Sequence, residues 1–342
     1  MEHSAASMTS SMTSSMTSRA PVVVGVDGSE DSLDAVEWAA AAARRRGVPL
    51  RVVAAPAPLP RRYAAGSSPA TAGEALRGLA ARTLDAAIRR AEAACAGLVV
   101  RTGLLTGPAP LAVTAAGNDA VMLVLGARGA GGFAATRLGA VSRYATGHAM
   151  SPVVVLRDAP VRRTRGRGEI VVGIGDQDDR DDALVFALDE AASREDELVA
   201  VHAWAGAERP ALAEQELAEQ RLAEALGLWR DKYPGVLVRH EVLHGHPAAV
   251  LARCSARADL VVLGQNPDPD IASIQHAVLD HARGPVAIVP SGATRLSSAG
   301  CLTRCASPRT STPQPWHSVS STWSISNATR PSACPQPTRK SC

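Results

Sequence analysis

The sequence predicts an α/β protein of two tandem units, each a five-stranded parallel sheet covered by helices. Three observations predict it. The chain repeats itself, short β-branched runs alternate with longer helical stretches, and the strand-like runs are apolar at nearly every position. Alternation of strand and helix implies parallel strands joined by right-handed crossovers. Near-continuous apolar strands imply a sheet covered on both faces.

The repeat fixes the organisation. Val23-Val24-Gly25-Val26-Asp27 matches Val171-Val172-Gly173-Ile174-Gly175 without a gap, and the helical stretch from Asp34 to Ala39 matches Asp182 to Ala187. Asp119 to Gly126 has its counterpart near Arg257 to Gly264, and Ser151-Pro152-Val153-Val154-Val155-Leu156 matches Gly284-Pro285-Val286-Ala287-Ile288-Val289. The units are therefore placed at 19–157 and 168–290, with an Arg-, Gly- and Pro-rich linker at 158–167. Residues 1–18 carry Ser-Met-Thr-Ser repeats and 291–342 are rich in Ser, Thr and Pro without periodicity, so both are expected to be disordered.

Element by element, the first unit reads as a strand over 21–26, a helix over 30–46 with Ser29 as its N-cap, and a strand over 50–55. A helix over 72–96, a strand over 98–103, a helix over 108–117 and a strand over 121–126 follow. A helix over 139–149 and a strand over 152–156 close the unit. In the second unit the strands fall near 169–174, 197–203, 236–243, 259–263 and 285–289. Between Glu214 and Trp229 apolar residues, among them Leu217, Leu222 and Leu226, recur at helical spacing.

Composition narrows the function classes. The 342 residues are 46% hydrophobic, 20% charged and 3% aromatic, so the core rests on aliphatic side chains. The formal charge of +3 comes from the tail. Residues 291–342 hold Arg295, Arg304, Arg309, Arg330, Arg339 and Lys340 and no acid, and without them 30 basic residues face 33 acidic ones, about −3. That is no nucleic-acid footprint. No uninterrupted apolar span is long enough to cross a membrane, and the N-terminus lacks a signal-peptide core, so a cytoplasmic protein is expected. Cys95 and Cys254 read as small buried hydrophobes, and no cysteine pair has zinc-site spacing. His240, His244 and His246 lie close in sequence, but strand parity separates His246 from the other two. They read as solvent-facing, and no metal site is expected.

The chemistry concentrates after two strands. Asp27-Gly28-Ser29 follows the first. Gly126-Ala127-Arg128-Gly129, then nine residues, then Gly139-Ala140-Val141-Ser142, follows the fourth. Glycine lets a backbone approach an anion closely, and the free N–H groups of a helix start bind negative charge. In an open α/β sheet ligands bind beyond the carboxyl ends of the strands where the strand order reverses. If strands one and four are neighbours there, both loops face one crevice, with Asp27 near a base or ribose and the glycine loop near phosphates.

Gly-x2-Gly-x9-Gly after a fourth strand resembles the ATP-binding motif of the universal stress protein family. The opening Val-Gly-Val-Asp-Gly-Ser and the closing Ser-Pro-Val-Val-Val are also similar to that family, and the likeness covers both units. The resemblance implies a Rossmann-like five-stranded sheet, an adenine nucleotide as ligand (ATP, with or without Mg²⁺), and pairing between the two units or between two chains. Carried over by position, it implies that Gly25, Val26 and Asp27 border adenine and ribose and that Ala54 lies beside the base. It implies that Leu125, Gly126, Arg128 and Gly129 cradle ribose and phosphates. Gly139, Ala140, Val141 and Ser142 then present N–H groups to the phosphates.

One departure stands out. The family pattern has Ser or Thr after the third glycine, and here the residue is Ala140, which predicts weaker nucleotide binding, with the Ser142 hydroxyl as the group expected to compensate. The second unit has lost the motif. It reads Gly264-Gln265-Asn266-Pro267, lacks counterparts of Gly129 and Gly139, and places Asp268 and Asp270 where phosphate needs positive potential. Gly175 replaces Asp27, with Asp176 beside it. The expectation is one nucleotide site per chain in a stress-response binding module whose signalling partner the sequence does not name. A slow ATPase or phosphotransferase is the first alternative. It is weakened by the missing Gly-x4-Gly-Lys-[Ser/Thr] loop, by the absence of lysine near the motif and by the lack of paired acids for Mg²⁺; no catalytic residue is assigned. A scaffold with a vestigial site is the second.

Overall fold

The computed structural model describes residues 19–56, 69–130, 138–157, 168–175, 181–204, 231–266 and 269–292, with Glu216, Gln220, Ala223, Leu226, Gly227 and Trp229 between them. The expected linker and nearly all of both terminal extensions lie outside these residues, as do Asp176, Pro267 and Asp268.

The first unit runs β1 (Val22–Val26), α1 (Glu30–Arg46), β2 (Leu50–Ala54), α2 (Pro69–Ala94), β3 (Val100–Leu104), α3 (Ala109–Gly117), β4 (Met122–Gly126), α4 (Ala140–His148) and β5 (Val153–Leu156). The second runs β6 (Glu169–Gly173), α5 (Asp181–Arg194), β7 (Glu197–Trp204), β8 (Val238–His244), α6 (Pro247–Cys254), β9 (Leu260–Gly264), α7 (Pro269–His281) and β10 (Val286–Val289). The described positions from Glu216 to Trp229 are helical. The long helix of the first unit starts three residues before the expected 72, because Pro69 suits a first helical position, where no N–H is needed. Gly97, at φ 77°, lies just beyond its end.

The two sheets expected from the sequence are one ten-stranded sheet in the order β3-β2-β1-β4-β5-β10-β9-β6-β7-β8. Each five-stranded half is parallel throughout. They meet where β5 runs antiparallel to β10, with Val155 opposite Val286 and Val153 opposite Ile288.

Strand residues divide by parity between two cores. Val22, Val24, Val26, Leu50 and Val52 face a cluster completed by Ala35, Ala39 and Ala43 of α1. Val23, Val53, Leu123, Leu125 and Val155 face one completed by Val113 of α3 and Ala145 of α4. Alanine along α1 lets that helix lie close to the sheet, which is how a core with few aromatics fills. The same helix carries consistent end signals. The Ser29 side chain accepts from the Ser32 N–H, Glu30 and Asp31 sit in the first turn, and Arg44 to Arg46 sit in the last. Gly47, at φ 62°, closes it with its N–H on the carbonyls of Ala43 and Arg44.

Candidate functional site

β1 lies between β2 and β4, so the sheet's order reverses at β1, and the region beyond the carboxyl ends of these strands is where open α/β sheets bind ligands. The two loops singled out in the sequence meet there. Asp27 follows β1 and is exposed. Its Oδ1 accepts from the N–H and the hydroxyl of Ser29, at 3.0 and 2.6 Å, and its Oδ2 accepts from the N–H of Ala130 at 2.7 Å. Gly28, at φ 88°, makes this turn in a region that side chains disfavour.

The glycine loop is fixed against the start of α1. A Cβ on Gly126 would stand 2.7 Å from the Asp31 carbonyl carbon and 2.9 Å from the Ser32 nitrogen, so only glycine lets β4 end there. A Cβ on Gly129 would collide with Asp27 Oδ2. The Arg128 N–H and Nε–H both donate to Asp31 Oδ2 at 3.1 Å. The Gly139 N–H returns to the Ala127 carbonyl at 2.7 Å, and Gly139 is the N-cap of α4 with no capping side chain. The first-turn amides of Ala140, Val141 and Ser142 thus open an uncapped helix, a position where N–H groups have no intrahelical acceptor.

The sequence-predicted residues therefore share one end of the sheet, with differing access. Val26, Ala54 and Leu125 are buried at the strand ends, a Cβ on Gly25 would stand 2.8 Å from the Leu125 side chain and 3.0 Å from that of Val113, and Arg128 and Ala140 are exposed. The Ser142 hydroxyl donates to the Gly126 carbonyl at 2.7 Å and the residue is buried, so to replace the hydroxyl missing at Ala140 it would have to give up that bond. Asp31 is the residue that sequence reading missed. An acid in a first helical turn is ordinary dipole chemistry, and its bond to a residue 97 positions away is visible only in the fold.

The second half repeats the frame without the loop. The Gln265 N–H donates to the Val289 carbonyl as the Ala127 N–H does to that of Leu156. The Gln275 side chain bonds the Gly264 carbonyl, as Ser142 does for Gly126. The Gln265 amide nitrogen reaches the Thr146 carbonyl of α4 in the first half at 3.3 Å. Among the described residues, no atom lies within 4 Å of the position a side chain on Gly175 would take. His240, His244 and His246 are exposed. Among the described residues no helix is long and apolar enough to cross a membrane.

Comparison with known proteins agrees with the repeat and the fold. The universal stress protein family profile matches residues 19–157 and 166–290. The universal stress protein Rv2005c of Mycobacterium tuberculosis (strain ATCC 25618 / H37Rv) is 36% identical over 289 residues, covering 78% of this chain and 96% of its own. A universal stress protein structure from Archaeoglobus fulgidus DSM 4304 covers 80% of this chain and 97% of its own at a TM-score of 0.61 and 20% identity, which speaks to the fold. A shorter universal stress protein, solved in complex with cAMP, is 27% identical and covers 41% of this chain and 99% of its own at a TM-score of 0.32. This chain belongs to the universal stress protein family.

Proposed function

We propose that the first half, residues 19–157, binds an adenine nucleotide, ATP with or without Mg²⁺, and that the chain acts in the cytoplasm as a stress-response binding module. One observation carries the reading. At the point where the strand order reverses, the glycine loop already offers N–H groups to anionic oxygens: those of Arg128 and Ala130 go to the carboxylates of Asp31 and Asp27. A loop whose donors hold carboxylate oxygens has the geometry to hold phosphate oxygens, and the uncapped start of α4 faces the same end of the sheet. Gly25, Val26, Asp27 and Ala54 border the base and ribose. Leu125, Gly126, Arg128, Gly129, Gly139, Ala140, Val141 and Ser142 line the phosphate side.

The second half, residues 168–290, lacks this loop and acts as a structural counterpart held through β5 and β10. That pairing within one chain supplies what two separate single-unit chains would need a dimer to supply. Nucleotide occupancy biases the conformation of the first half, and a signalling partner reads the bias.

Calorimetry of the full chain with ATP, beside Gly129→Glu, tests the reading. One site per chain, abolished by the variant, is expected. Two sites would show that the second half binds as well. No binding at millimolar ATP would leave a scaffold with a vestigial crevice.

A further inference from the structure

Asp31 takes the main-chain N–H and the Nε–H of Arg128 on one oxygen, and its side chain is only 22% exposed, whereas that of Arg128 is 53% exposed. The neighbouring Glu30 is turned elsewhere, towards Arg90 at 3.5 Å. The second loop carboxylate, Asp27, holds the Ala130 N–H. Between Gly126 and Ala130 Arg128 supplies the guanidinium, and its amide and Nε are already bonded to an anion before any phosphate arrives. A phosphate that takes those donors must displace Asp31, so it exchanges one charge-assisted contact for another instead of adding one. It also enters beside the negative charge of that carboxylate, in the first turn of α1.

We infer that Asp31 is a specificity-determining residue of the crevice, one that lowers its preference for phosphate charge by occupying the Arg128 donors a phosphate oxygen would take. The inference rests on the nucleotide reading above and narrows its ligand class. Adenosine and its monophosphate bind nearly as well as ATP, and the triphosphate gains little from its extra charge. Asparagine at position 31 keeps an oxygen to accept from Arg128 and removes the charge. Glutamate keeps the charge.

The test is calorimetry of the full chain with adenosine, AMP and ATP without Mg²⁺, for the wild type, Asp31→Asn and Asp31→Glu, with thermal melts to confirm folding. The wild type is expected to favour ATP over adenosine by less than about tenfold. Asp31→Asn is expected to tighten ATP about tenfold, the scale of one charge-assisted hydrogen bond, and to leave adenosine unchanged. Asp31→Glu is expected not to tighten ATP. ATP affinity that stays level or falls in Asp31→Asn overturns the inference while the nucleotide reading stands. A rise shared by adenosine and ATP overturns it too, because relaxation of the loop and not charge would then be the cause. A wild type that binds none of the three ligands fails the nucleotide reading itself and the inference with it.

Discussion

Arg46 Nη2 lies 2.7 Å from Glu190 Oε1, and this ion pair joins the last turn of α1 in the first half to α5 in the second, with the Glu190 side chain fully buried. The other carboxylate oxygen accepts from Arg194 Nε at 2.7 Å, and the Arg194 guanidinium lies 4.9 Å from the centre of a Trp38 ring. Arg46 and Arg194 occupy matching places in the internal repeat, so one carboxylate serves two related cations. Burial pushes the Glu190 carboxyl up, and the charges of Arg194 and Arg46 outweigh it and hold it below its ordinary value. Burial, then the Arg194 charge, pushes the neighbouring Arg45 down to about 10.

Glu190→Ala is therefore expected to destabilise the chain strongly, by about 3–5 kcal/mol, because it leaves buried guanidinium groups uncompensated. Urea denaturation followed by circular dichroism reads the loss. A change below 1 kcal/mol would mean that water already screens the arginines.

The same carboxylate predicts a pH dependence. A folded-state value below the unfolded one makes the Glu190 contribution complete above about pH 4.5 and progressively lost as pH falls through the folded value. The stability gap between wild type and Glu190→Gln should be level from pH 5 to 7 and narrow at lower pH, as read by urea titrations at each pH. A gap that widens with acid would reverse the sign and contradict the assignment.

Two glycines of one motif should differ in cost. A methyl on Gly126 meets the backbone of Asp31 and Ser32, which can yield only if α1 shifts. Gly126→Ala should cost about 1–3 kcal/mol, the range for overpacking. A methyl on Gly129 meets the Asp27 carboxylate, a side-chain end that can turn away by giving up its bond to the Ala130 N–H, with no shift of a helix. Gly129→Ala should cost clearly less in the same denaturation assay, and equal costs would show that Asp27 is locked in place.

These residues mark what the sequence makes legible. The strands and α1 are written in local signals: Val-rich runs, Ser29 before the helix, Gly47 after it. The Gly126 to Gly139 motif was legible because glycine spacing records close backbone approach, a local requirement. The single sheet was not, since the pairing of Val155 with Val286 joins strands more than a hundred residues apart and leaves no periodic trace. The roles of Asp31 and Glu190 were hidden for the same reason. An acid in a helix is ordinary until the fold brings arginine to it.

Ala140 bears on affinity without touching the fold. It is exposed at the first position of α4, beside N–H groups that open the helix. Ala140→Ser adds a hydroxyl there, and one hydrogen bond to a charged phosphate is worth about 1.5–3 kcal/mol. ATP should bind roughly tenfold tighter by calorimetry, with the melting temperature of the free protein unchanged. Unchanged affinity would place the phosphates away from the start of α4.

Ser142 distinguishes a structural hydroxyl from a ligand-binding one. Its Oγ donates to the Gly126 carbonyl at 2.7 Å from a buried position, and Gln275 makes the corresponding bond to Gly264 in the half that lost the glycine motif. A bond kept where the motif is gone serves the frame, tying the last carbonyl of a strand to the helix that follows. Ser142→Ala leaves a carbonyl at the mouth of the crevice without that donor, a loss of about 1–3 kcal/mol. Gln275→Ala should cost a similar amount at Gly264. The Ser142 variant should keep the wild-type nucleotide affinity within about twofold, because the main-chain N–H at 142 is unchanged. A large drop in affinity with stability preserved would put the hydroxyl on the ligand and remove the structural account.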